Sequence, residues 1–162
     1  EYGLIAALIA IASITALSSG WKSADKDARN RYPLQVLEVA NAVKDEYSAM
    51  GVVPTSTTIA TLVPERSLPA DVVVAYASDN FETIFGTDLT VELNGDKTWD
   101  VVTAGILQAD CRFALSKLRD TARARFLKSV TVGSTAVAAF TPTGINAACS
   151  AASANITFVF SL

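Results

Sequence analysis

Apolar and polar positions divide this chain into three stretches with different rules. From Tyr2 to Trp21 no residue is ionised, and Glu1 carries the single charge before Lys22. About twenty uncharged, mostly apolar residues are enough for a helix that spans a bilayer. A lone carboxylate at the tip of such a helix is costly in lipid and calls for a partner. From residue 22 to 50 the pattern becomes amphipathic. Val36, Ala40, Val43, Tyr47 and Met50 recur at three- and four-residue spacing and share one helical face, while Glu38, Lys44, Asp45 and Glu46 lie elsewhere on the wheel. The spacing predicts that the helix continues through this stretch and stops at Gly51. Two breakers lie along it. Gly20, after Ser18 and Ser19, weakens the apolar half, and Pro33 removes a backbone hydrogen bond and is expected to kink or locally melt the helix. Fifty helical residues would reach about 75 Å. A domain of this size cannot cover that length, so one end must project.

Beyond residue 51 a period of two replaces the helical period. Residues 52–70 contain Pro54, Pro64 and Pro69 and read as a loop with at most a short helix around Ile59–Leu62. Residues 72–76 form a short strand candidate, and residues 81–86 an excursion between strands. Asn94-Gly95 separates two alternating runs, 88–93 and 96–102, which is a strong hairpin signal. Gly133-Ser134 does the same between 129–132 and 135–138. Residues 105–118 read as a helix carrying Cys111. Residues 156–162, aromatic and β-branched, read as a closing strand. The expected fold class is α+β, with a long N-terminal helix whose apolar half projects and whose amphipathic half packs on an antiparallel sheet. The expected organisation is an apolar segment 1–21, a helix continuation 22–50 and a head 51–162 closed by a C-terminal disulfide-bounded region.

Composition narrows the chemistry. The chain has 162 residues, of which 51% are hydrophobic, and the part beyond the apolar segment is long enough for one modest core. With a net charge of −3, there is no overall electrostatic support for nucleic-acid binding. There is no histidine, so a Ser-His-Asp or Cys-His arrangement is impossible, and the commonest metal ligand is missing. No glycine-rich phosphate loop occurs. Asp25, Asp27, Asp45 and Glu46 read as a solvated helix face, and Asn155-Ile156-Thr157, although it matches a glycosylation sequon, as strand sequence. No catalytic residue, cofactor site or metal site is expected. No Lys or Arg precedes the apolar run, so it differs from a secretory signal and reads as a segment retained after processing upstream. In an exported chain the even pair Cys111 and Cys149 reads as a disulfide, with two reduced, buried thiols as the alternative. Arg112, Lys117, Arg119, Arg123, Arg125 and Lys128 form a basic cluster broken only by Asp120. It suits a DNA- or surface-binding strip, packing against the acidic residues 79–100 of a neighbouring subunit, or simple solvation.

These residues resemble a type IV pilin. The start, Glu-Tyr-Gly-Leu-Ile-Ala-Ala-Leu-Ile-Ala, is similar to the N-terminus of the small Flp/Tad pilins, which are far shorter and lack a head. The C-terminal third resembles the larger type IVb pilins of conjugative thin pili. The similarity lies in Leu107-Gln108-Ala109-Asp110-Cys111, Val130-Thr131-Val132-Gly133, Thr141-Pro142-Thr143, Ala147-Ala148-Cys149 and Asn155-Ile156-Thr157-Phe158. Residues 52–100 add little to it. The resemblance implies cleavage by a prepilin peptidase, methylation of the new amine, anchoring in the bacterial inner membrane, and extraction by the pilus assembly machinery into an extracellular filament of identical subunits. It implies a major pilin serving attachment or conjugative cell contact. A minor pilin or a pseudopilin, of a type IV pilus or a type II secretion system, is the alternative, and a single-pass envelope protein with a ligand-binding head is a third. In the family, the residue matching Glu1 pairs with the N-terminal amine of a neighbour and is usually the fifth mature residue. Four further residues are therefore expected ahead of Glu1; the alternative is cleavage immediately before Glu1, which would then carry the amine itself. Gly3, Ala6, Ala7, Ala10, Ala12 and Ala16 would let helices approach closely in a filament core, and the Gly20 and Pro33 breaks would suit a helix that unwinds there.

Overall fold

The computed structural model describes the backbone of residues 2–50, 58–94, 97–119 and 126–162, and the side chains of these from Lys26 onward. Helix α1 (Tyr2–Met50) is a single element of 49 residues. It runs unbroken through residues 18–20 and through Pro33, so the helix does not melt locally at either position. At Pro33 the reason is tertiary. The proline is buried between buried Tyr32 and Gln35, and packing supports the turn that lost its hydrogen bond.

The expected amphipathic face forms, and it is wider than its sequence signal. Val36, Ala40, Val43 and Tyr47 are buried, and so are Tyr32, Gln35, Leu37, Val39 and Ala42. Met50 departs from the expectation and is 54% exposed. Tyr47 already reaches the first residue of the central strand, donating its hydroxyl to the Thr98 carbonyl at 3.5 Å. Met50 lies almost one turn further on.

Among the described residues, seven strands form one sheet: β1 (Val73–Ala75), β2 (Asn80–Glu82), β3 (Asp88–Leu93), β4 (Thr98–Leu107), β5 (Leu127–Val132), β6 (Thr135–Ala136) and β7 (Ser153–Ser161). The order is β1-β2-β3-β4-β7-β5-β6, and every neighbouring pair is antiparallel. The C-terminal strand thus lies in the middle of the sheet, bonded to β4 on one side and β5 on the other. Register places side chains in three rows across four strands: Leu89, Thr103, Ile156 and Val132; Val91, Val101, Phe158 and Val130; Leu93, Trp99, Phe160 and Leu127. Alternate residues share a face, so these rows build the inner surface on which α1 lies. Helix α2 (Ile59–Leu62) caps one side of α1. Helix α3 (Gln108–Arg119) packs beside α1, and α4 (Pro142–Ala148) packs against α3.

The first hairpin forms as expected: Leu93 pairs with Trp99, Asn94 N–H bonds the Thr98 carbonyl at 3.1 Å, and Lys97 is left-handed (φ 67°). Gly95 of the expected Asn94-Gly95 turn lies outside the described residues. Three details differ from expectation. Residues 105–107 extend β4 instead of opening α3. Gly105 takes φ 62° where the register against β7 shifts between Thr103 and Ile106, and this bulge turns Ile106 into the core. Residues 80–82 form a strand paired to β3, where an excursion was expected. Helix α4 has no counterpart in the sequence reading. Its signals are Thr141, whose hydroxyl accepts from the Gly144 N–H at 3.1 Å, followed by Pro142 at the first turn. The Gly133-Ser134 hairpin, the short α2 and the closing strand form where expected.

Tyr32 is fully buried, and its hydroxyl lies 2.6 Å from the Thr103 hydroxyl of β4. Removing one partner strands the other without water. Tyr32→Phe is expected to lower unfolding stability by about 1–3 kcal/mol, and Thr103→Val in the same chain to recover part of that loss. Urea unfolding of the two variants and their combination checks this.

Candidate functional site

Two places concentrate polar and covalent contacts: the start of the packed half of α1, and the C-terminal third around the cysteines. Within α3, Cys111, Ala114, Leu115 and Leu118 are buried at helical spacing. Asp110, in the first turn, is buried too, and accepts from Arg29 Nε at 2.6 Å. That bond ties the first described contacts of α1 to α3. Cys111 is bonded to Cys149, the residue that ends α4, with a Cα–Cα distance of 5.9 Å. The sequence therefore yields the disulfide, and the structure adds that it joins the starts and ends of two neighbouring helices. Gly144 inside α4 has a packing reason: a Cβ there would lie 2.4 Å from the Ala139 carbonyl oxygen.

Two residues along α1 from Arg29, Arg31 holds two carboxylates. It binds Asp71 through Nε at 2.7 Å and Nη2 at 3.0 Å, and Glu38 through Nη1 at 3.0 Å and Nη2 at 2.8 Å. Bonding to Arg31 holds the Asp71 carboxyl below the usual carboxylate range, and the two carboxylates push the guanidinium up. Gln35 is fully buried. Its Oε1 accepts from the Ile84 N–H at 2.8 Å, and its Nε2 donates to the Asp71 carbonyl at 3.3 Å. Arg29, Arg31, Tyr32 and Gln35 together dock α1 at four points within two turns. Burial, the larger influence, pushes the Tyr32 phenol well above its ordinary range. Further along, Tyr47 stacks on Trp99 (5.4 Å) and Trp99 on Phe160 (6.0 Å), joining α1, β4 and β7 in one aromatic column.

The sequence reasoning missed this polar docking set. A glutamine among apolar positions and an arginine seven residues before a glutamate were visible, but their partners Asp71, Ile84, Thr103 and Asp110 lie far away in the chain. Of the basic cluster, Lys117 and Arg119 are exposed in the last turn of α3, where cations favour the helix dipole, and Lys117 lies 5.6 Å from the Phe113 ring centre. Lys128 is exposed on β5. Arg112 is half-buried, with its Nε unbonded. Arg123 and Arg125 lie outside the described residues, as do Glu1 and the side chain environment of the segment before Lys26. Among the described residues no helix is long and apolar enough to cross a membrane, and no group of three His, Cys, Asp or Glu residues could hold a metal ion. The described grooves are shallow. One lies between α1 and residues 67–69, lined by Glu38, Asn41, Asp45 and Glu46.

A long N-terminal helix packed along an antiparallel sheet, with a disulfide closing the C-terminal third, is the type IV pilin fold. The crystal structure of TcpA, a type IV pilin from Vibrio cholerae El Tor biotype, is similar, with a TM-score of 0.58, 14% identity, and coverage of 83% of this chain and 99% of that one. No family model matches the chain, and no curated protein does.

Two outcomes are expected. Cys111→Ser opens a loop with a sequence separation of 38 residues and should cost about 4 kcal/mol by chain-entropy arithmetic. Thiol titration should then find Cys149 reactive. For Asp71, whose carboxyl is held low in the folded chain, the stabilisation is complete above the ordinary carboxylate range and is lost as pH falls through its lowered value. The urea midpoint should fall on acidification below about pH 4, and less steeply for Asp71→Asn, which should start lower at neutral pH.

Proposed function

We propose that this chain is the structural subunit, the major pilin, of a type IV pilus of the type IVb-like class, with a Flp/Tad-like N-terminal segment. The observation that carries this reading is that α1 joins two chemistries in one helix: residues 2–21 carry no charge, and the face from Tyr32 to Tyr47 is buried on the head. Twenty uncharged residues make about 30 Å of helix at 1.5 Å per residue. An uncharged helix of that length serves first as an anchor in the inner membrane and later, bundled with copies of itself, as the core of an extracellular filament. The head forms the outer wall, and the disulfide secures its C-terminal third. Similarity to a type IV pilin in fold supports this use of the helix. Prepilin peptidase and the pilus assembly machinery are the partners this route needs, and attachment or conjugative cell contact is the use it serves. Glu1 supplies the assembly contact by pairing with an amine in the filament core, because a carboxylate there needs a positive partner. The segments 1–21, 22–50 and 51–162 act as core, stem and wall.

Deleting the gene should abolish surface filaments seen by electron microscopy, and sheared filaments should consist mostly of this chain. Filaments that persist without it would instead point to a minor pilin or pseudopilin. Glu1→Ala should leave the disulfide and the head fold intact while cutting filament yield about tenfold or more, because a buried amine loses its counter-charge. Normal yield would count against the pairing.

A further inference from the structure

Charge is segregated along the second half of this chain. Residues 71–110 hold eight acids and one base, residues 111–128 hold six bases and one acid, and residues 129–162 hold no charged side chain. The fold converts this order into separate surfaces. On β2, β3 and β4 the residues that alternate with the core point away from α1, and they include Glu82, Asp88, Glu92 and Asp100. Register sets Glu82 directly opposite Asp88, and Glu92 directly opposite Asp100. Like charges facing each other across a ladder destabilise the sheet, yet two such pairs sit on one face. The intramolecular ion pairs of the described residues use Asp110, Asp71 and Glu38, and none of these four. Asp100 receives only the neutral Asn94 amide, at 2.9 Å.

The bases lie elsewhere. Lys117 and Arg119 are exposed at the end of α3, and Lys128 is exposed on β5. In the sheet, β5 is separated from the acidic strands by β7, which carries no ionisable side chain. The outward face of β2–β4 is covered by none of the described elements. Its acids need a basic counter-surface, and a second copy of the chain carries one. A contact that set either surface on itself would oppose like charges. A head-to-tail contact pairs acid with base, and head-to-tail contacts extend into open filaments unless their rotation closes.

We propose that the outward face of β2–β4, through Glu82, Asp88, Glu92 and Asp100, docks onto the α3 end and β5 of the next copy of this chain, through Lys117, Arg119 and Lys128. The contact deepens the pilus reading and rests on it for the partner. It acts mainly in steering and register, as charged rims do.

The test uses the full-length chain as cells make it, treated with a zero-length carbodiimide that joins lysines to carboxylates in contact. Peptides linking Lys117 or Lys128 to Asp88, Glu92 or Asp100 are expected in the dimer band and not in the monomer band. The paired substitutions Asp88→Lys with Glu92→Lys, and separately Lys117→Glu with Lys128→Glu, should each cut that link about tenfold, and placing one variant beside the other in the same cells should restore it. On the unaltered chain, raising salt from about 0.05 M to about 1 M should weaken the link through screening, which needs no variant to fold. Links joining other surfaces, a link indifferent to salt, or failure of the mixed variants to restore it would overturn the contact. So would a basic cluster that binds duplex DNA while the acid–base link is missing. Filament yield is read separately. A link without filaments would sink the pilus reading and leave the contact standing; filaments without the link would do the reverse.

Discussion

The head depends on one packing arrangement: the face of α1 from Tyr32 to Tyr47 laid on the inner surface of β4 and its neighbours. Without the helix, three rows of apolar side chains on β3, β4, β7 and β5 would face water. Without the sheet, the amphipathic half of α1 would expose Val36, Val39, Ala40 and Val43. Burying a side chain of that size is worth about 1.5–3 kcal/mol. Each element is therefore stable only in the presence of the other. This mutual dependence also explains why Pro33 is tolerated. A proline inside a lone helix costs about 3 kcal/mol, but here it sits between Tyr32 and Gln35, whose contacts hold the backbone in place.

Apolar packing alone would let the helix slide along its groove. The polar contacts fix its position. Arg29 on Asp110, Arg31 on Asp71, Tyr32 on Thr103 and Gln35 on the Ile84 amide all fall within seven residues, each reaching a different element. A register slip of one residue would leave several buried polar groups unbonded, at about 1–3 kcal/mol each. These contacts lie among the first residues of α1 whose side chains are described. The disulfide acts beside them, holding α3, in which Cys111 follows Asp110, to α4.

Central placement of β7 has a consequence for folding. Strand β7, the last of the described strands in chain order, is bonded on both sides, to β4 and to β5, so the sheet cannot close until it is present. Contacts between residues so far apart in sequence are slow to form. A covalent link between Cys111 and Cys149 shortens the effective loop that must close before β7 can enter.

Local pattern determined much of this protein. The helical period from Val36 to Tyr47, the Gly133-Ser134 turn, the alternation in 88–93 and the β-branched, aromatic run before Leu162 each carry their own backbone preference, so the elements were legible before any packing was known. The cysteine pair was legible as a disulfide candidate because two cysteines form an even pair, with two buried thiols as the alternative. Strand order was not legible, because nothing local to residues 153–161 says that β4 and β5 will flank them. Nor was the bulge at Gly105 that lengthens β4 at the expense of α3. The docking set was the least visible of all. Arg29, Arg31, Tyr32 and Gln35 look like ordinary residues of an amphipathic helix, and their partners are brought to them only when the sheet folds beneath. Sequence decides which residues prefer which backbone and which face; tertiary structure decides which polar groups meet, because only closure of the core removes the water that would otherwise satisfy them.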